Sequence, residues 1–129
     1  MSIAKILVVD DDPDLCEITR MVLEPAGYEV VTASGSAEAM KQIEAAWPDL
    51  ILLDVVMSSP TDGVEFSRKL HQDPVLRHLP VVMVTSIADT RHAGAASPDD
   101  VPFIAAWLAK PVSPKQLIAT VRQVLEQKS

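Results

Sequence analysis

The sequence predicts an α/β fold, a doubly wound (βα)₅ sandwich around a central five-stranded parallel sheet, and three observations carry the prediction. Short apolar runs rich in β-branched residues recur along the chain, helical patterns alternate with them, and the runs are nearly continuous in apolar residues. Strands of that kind need cover on both faces, which a parallel sheet with crossover helices provides.

The first run, Ile6 to Val9, is followed by Asp12 and Pro13, a capping residue and a residue suited to the first helical position. Leu15, Ile18, Val22 and Leu23 should turn inward from the helix they open, with Cys16 at the margin of that face. Val30 to Thr32 reads as the second strand, and Trp47 before Pro48 should close the second helix. Leu50 to Leu53 and Val81 to Val84 read as strands three and four. The fourth helix, expected between strands four and five, should be short or irregular, because positions 88–102 contain Gly94, Ser97, Pro98, Asp99, Asp100 and Pro102. Ile104 to Leu108 reads as strand five. The last helix starts at Ser113, Pro114 and Gln116, a capping box, and places Leu117, Ile118, Val121, Val124 and Leu125 on one face. Met21 and Met83 read as core filler.

At 129 residues the chain suits one domain, 1–129, with a single core. A net charge of −7 argues against wrapping nucleic acid or an anionic membrane, and makes a cation the better partner. Cys16 is the only cysteine, so no internal disulfide forms, which suits a reducing cytoplasm. No apolar run is long enough to span a membrane. His71, His78 and His92 lack a metal-ligand spacing.

Ligands of such sheets gather at the carboxyl ends of the strands. Strand one ends in Asp10 and Asp11, strand three in Asp54, strand four in Thr85 and Ser86, and strand five is followed by Lys110. Each has an ordinary explanation alone: a turn cap, a good strand residue, a solvated lysine. Their coincidence on one edge points to function. Two carboxylates about 4 Å apart repel by roughly 4 kcal/mol at an effective dielectric of 20. Either a pKa rises or a cation binds, and an oxygen-only donor set open to water suits Mg²⁺.

The segments Ile6-Leu-Val-Val-Asp-Asp-Asp-Pro13, Leu52-Leu-Asp54, Val84-Thr85-Ser86 and Lys110-Pro111 together resemble the receiver domain of two-component response regulators, over essentially the whole chain. The resemblance implies a flavodoxin-like sheet and a phosphorylation switch in which Asp54 is the phosphoacceptor, Asp10 and Asp11 are the acidic pair, Thr85 is the switch hydroxyl and Lys110 is the phosphate-binding cation. It further implies that the Val56 carbonyl ligates Mg²⁺ with Asp11 and Asp54, that Asp10 acts largely through water, that Trp107 holds the aromatic switch position, and that the Lys110 to Pro111 peptide is cis. The phosphoryl donor would be a phosphohistidine of a sensor histidine kinase or histidine phosphotransfer protein, and the output a repacked surface for an unknown protein target. A cytoplasmic monomer or weak dimer that touches neither nucleic acid nor membrane is expected.

The chain departs from the family pattern after Asp54, where Met57-Ser-Ser-Pro-Thr-Asp-Gly63 is one residue longer than usual. Val56 and Ile87 occupy the two positions that tune phosphate lifetime, and neither can orient an attacking water, so slow self-dephosphorylation is expected. One rival is a haloacid dehalogenase-type phosphohydrolase with Asp10 as nucleophile and Asp12 beside it, which would leave Asp54 unused. Another is a receiver-fold binding module that takes no phosphate.

Overall fold

The computed structural model describes residues 3–54, 62–85, 103–110 and 112–128. Five parallel strands, β1 (Lys5–Val9), β2 (Glu29–Ala33), β3 (Leu50–Asp54), β4 (Val81–Thr85) and β5 (Ala106–Ala109), form one sheet in the order β2-β1-β3-β4-β5. The described helices are α1 (Pro13–Leu23), α2 (Ser36–Ala45), α3 (Asp62–Gln72) and α4 (Pro114–Lys128), with a 3₁₀ turn at Leu76–His78.

β3 is buried at every position, as befits the middle strand of a covered sheet. Alternation along the strands separates two core layers. Leu7, Val9, Ile51, Leu53, Val81 and Met83 belong to one, shared with Ala39 and Ile43 of α2 and Phe66 and Leu70 of α3. Ile6, Val8, Leu50, Leu52, Val82 and Leu108 belong to the other, shared with Cys16 and Leu23 of α1 and Leu117 and Val121 of α4.

Local signals set the helix ends. Asp12 caps α1, its Oδ1 accepting from the Asp14 N–H at 2.9 Å. Ser113 Oγ accepts from the Gln116 N–H at 3.1 Å at the start of α4. Between α1 and β2 the chain turns through Gly27 at φ 102, a conformation that costs a glycine little.

Several sequence expectations are corrected. Ile18 does not turn inward but is 56 % exposed, and Met21 is 66 % exposed rather than core filler. The buried line of α1 runs through Cys16 and Leu23, which leaves Leu15 and Val22 half-buried on its flank and carries Ile18 beyond it. Strand five begins at Ala106 instead of Ile104, although Ile104 still packs against the α2 and α3 layer. Helix α2 ends at Ala45, two residues before Trp47, which is exposed. The irregular helix expected in 88–102, the longer loop after Asp54 and the Lys110 to Pro111 peptide lie outside the described residues.

Candidate functional site

The strand order reverses between β1 and β3, since β1 connects to β2 on one side and pairs with β3 on the other. At the carboxyl ends of these two strands, Asp10, Asp11 and Asp54 each offer a carboxylate oxygen, and the three oxygens lie within 4.8 Å of one another. Backbone regularity places them. The Asp10 N–H continues the ladder of β1 to the Ala33 carbonyl at 3.0 Å, which holds Asp10 in register one residue past the strand. Asp54 is the last residue of β3 and stays 4 % exposed, whereas Asp11 faces solvent.

Asp10 is tied down twice more. Its Oδ1 accepts from the Asp12 N–H at 2.9 Å, and its carbonyl accepts from the Cys16 thiol at 3.4 Å. These ties to the Asp12 N–H and the Cys16 thiol go beyond the capping role of Asp12 and the packing role of Cys16 expected from the sequence. The two-residue spacing of Asp10 and Asp12, which favours a side-chain-to-backbone turn, was the available signal. Burial pushes the Asp10 carboxyl above the usual aspartate range, opposed by the Asp12 N–H, the Lys110 ammonium and a hydrogen bond with Asp54.

Lys110 follows β5, and its Nζ lies 3.2 Å from Asp54 Oδ1. Its backbone N–H donates to the Thr85 carbonyl at 2.7 Å, so the lysine and the end of β4 are joined through the main chain. Thr85 pairs with Ala109 and Trp107 with Met83, both half-buried. By strand alternation they share the α2 and α3 face of the sheet, while Asp54 and Lys110 fall on the α1 and α4 face. The structure thus brings Asp10, Asp11, Asp54 and Lys110 together and sets Thr85 and Trp107 on the neighbouring strand ends. Val56 and Ile87 lie outside the described residues.

A hard divalent cation fits this donor set: the three clustered side chains are all carboxylates, one of them open to water, and Mg²⁺ retains water while taking a few carboxylate ligands. His71, which lacks a metal-ligand spacing in the sequence, stacks on Phe103 with ring centroids 4.1 Å apart. Among the described residues no helix is long and apolar enough to cross a membrane.

Comparison with known proteins agrees with this geometry. A family model described as the response regulator receiver domain matches residues 6–122. The phosphate regulon transcriptional regulatory protein PhoB of Escherichia coli is 34% identical over 126 residues, covering 95% of this chain and 52% of that protein. The DNA-binding response regulator MtrA of Mycolicibacterium smegmatis is 34% identical over 129 residues, covering 95% and 51%. The chain therefore spans about half the length of the curated relatives it matches. Among solved structures, a putative response regulator from Chloroflexus aurantiacus superposes with a TM-score of 0.83 at 31% identity, covering 97% of this chain and 99% of that one. The chemotaxis response regulator CheY4 of Vibrio cholerae gives 0.79 at 30% identity, covering 95% and 99%.

Proposed function

From the premise that the chain belongs to the response regulator receiver family, whose function is to accept a phosphoryl group, we propose that residues 1–129 form one receiver domain with Asp54 as its phosphoacceptor. The observation that carries the choice of residue is the contact of Lys110 Nζ with the buried Asp54 carboxylate, beside Asp10 and Asp11.

In this reading one Asp54 oxygen attacks the phosphorus of a phosphohistidine in line; the P–N bond breaks and its electron pair leaves on the imidazole nitrogen, giving an acyl phosphate. Asp11, Asp54 and the Val56 carbonyl would hold Mg²⁺, with Asp10 acting through water, and the bound ion would supply electrostatic stabilisation of the transferring phosphoryl group. Lys110 offsets the remaining charge and exchanges its Asp54 partner for a phosphate oxygen. Asp10 and Asp12 keep the rim rigid, so little reorganisation accompanies the step. Thr85 turns its hydroxyl to the phosphate, Trp107 fills the space released, and the altered surface meets a downstream protein. Val56 and Ile87 cannot orient a water, so the phosphate is lost slowly.

The phosphoryl donor is a histidine kinase or a histidine phosphotransfer protein. Some relatives bear names of transcriptional or DNA-binding regulators, but at −7 this stretch makes no DNA contact of its own in our reading. The phosphohydrolase alternative is disfavoured because Asp12, the second carboxylate it needs, is exposed and its Oδ1 accepts from the Asp14 N–H.

Incubation with acetyl phosphate and Mg²⁺, followed by intact-mass measurement, tests the assignment. One added phosphate is expected on wild type and none on Asp54→Asn; full modification of the variant would end the assignment to Asp54.

A further inference from the structure

A cavity of about 550 Å³ opens between α1 and α4 and runs inward to the phosphoacceptor. Leu52 and Val84 form its floor, Leu15 and Val22 one wall, and Val112 and Leu117 the other. Charge enters only at its inner end, from Asp10, Asp54 and Lys110. Thr19 also lines it, with its hydroxyl already donated to the Leu15 carbonyl at 2.8 Å. The volume falls in the range of small-molecule sites, and so does the design of apolar walls around a few convergent polar groups.

We propose that this groove binds a small amphipathic monocation, a compact apolar body carrying one ammonium or guanidinium group whose head sits against Asp10 and Asp54, and that its occupancy excludes Mg²⁺ and so holds Asp54 unphosphorylated. Two carboxylates against one ammonium leave the inner end negative, and exposed Asp11 adds to that sign. An anionic head would have to displace Asp54 from Lys110 while facing Asp10. A wholly polar ligand would find walls unable to hydrogen-bond to it. The exclusion of Mg²⁺ rests on the metal reading given above, whereas the preference for a cationic head follows from the groove alone.

Isothermal titration of the full chain with phenethylamine, phenethyl alcohol and hydrocinnamate, with and without saturating Mg²⁺, tests the proposal. The amine should bind more tightly than the other two by roughly tenfold to a hundredfold, the span of a charge-assisted hydrogen bond. Mg²⁺ should weaken the amine and leave the alcohol unchanged. Ile18 stands exposed on the groove's α1 side, so Ile18→Arg should preserve the fold by circular dichroism, and phosphorylation of Asp54, while weakening the amine roughly tenfold. Ile18→Leu should behave as wild type. Equal binding of the three probes, no binding of any, indifference of the amine to Mg²⁺, or an unchanged affinity in Ile18→Arg would each overturn it. Asp54 phosphorylation persisting alongside any of these would leave the proposed function standing.

Discussion

Lys110 Nζ sits 3.2 Å from Asp54 Oδ1 across the carboxyl ends of β5 and β3, with the carboxylate 4 % and the lysine 28 % exposed. Two cations therefore compete for one carboxylate whenever a metal enters the rim. Lys110→Ala should consequently tighten Mg²⁺ binding, because the cluster becomes more negative, while slowing phosphorylation by acetyl phosphate roughly tenfold or more. Titration calorimetry and time-resolved intact mass measure the two effects, and a loss of both together would deny the lysine its separate role.

Asp10 predicts a stability that depends on pH and metal together. Its carboxyl is pushed above the usual aspartate range chiefly by burial. A carboxyl with a higher pKa folded than unfolded stabilises the fold below its unfolded value and gives that stabilisation up as pH rises. Metal-free protein should thus lose stability from acidic toward neutral pH, and Mg²⁺ should restore it. Asp10→Asn should flatten that dependence, raise metal-free stability by on the order of 1 kcal/mol, and abolish most of the Mg²⁺ response. Thermal unfolding in chelator and in Mg²⁺ across that range checks all three.

Cys16 should be chemically quiet. Burial first, then Asp10 and Asp12, push its thiol from 9.0 up to about 11. At neutral pH it is a protonated donor to the Asp10 carbonyl, so iodoacetamide should label the native protein at least roughly a hundredfold more slowly than the unfolded chain. The same shift means that stability is intact below 9.0 and falls as pH rises toward about 11. Fast native labelling would contradict this placement of the thiol.

Helix α1 supplies a contrast in cost. Asp12→Ala removes the cap on the Asp14 N–H and should cost about 1 kcal/mol, with Asp12→Asn nearly neutral. Leu23→Ala, at a fully buried position, should cost roughly 2–5 kcal/mol, whereas Met21→Gln should change stability by less than about 0.5 kcal/mol. Urea unfolding of the set ranks them.

Much of the fold was legible because period and punctuation agree. Continuous apolar runs implied a doubly covered parallel sheet, and Asp12-Pro13 and Ser113-Pro114 marked two helix starts that the structure keeps. The juxtaposition of Asp10, Asp11, Asp54 and Lys110 was legible for the same reason, since all four stand at carboxyl ends of strands in one parallel sheet. Rotation of a helix about its axis was harder to read. Leu15, Ile18 and Val22 form an apolar stripe as good as the true one, and only the sheet beneath decides that Cys16 and Leu23 lead. The groove was invisible for a related reason: it arises from the spacing between two helices distant in sequence, which no local pattern encodes.

The alternation that puts Asp54 in one layer and Thr85 with Trp107 in the other makes the sheet a partition one residue thick. In the proposed function, modification of Asp54 would be read from the far layer by the Thr85 hydroxyl, whose backbone is already tied to Lys110. Substitutions on the exposed surface of α2 and α3 would therefore leave the carboxylate cluster, which lies across the sheet, structurally as it is.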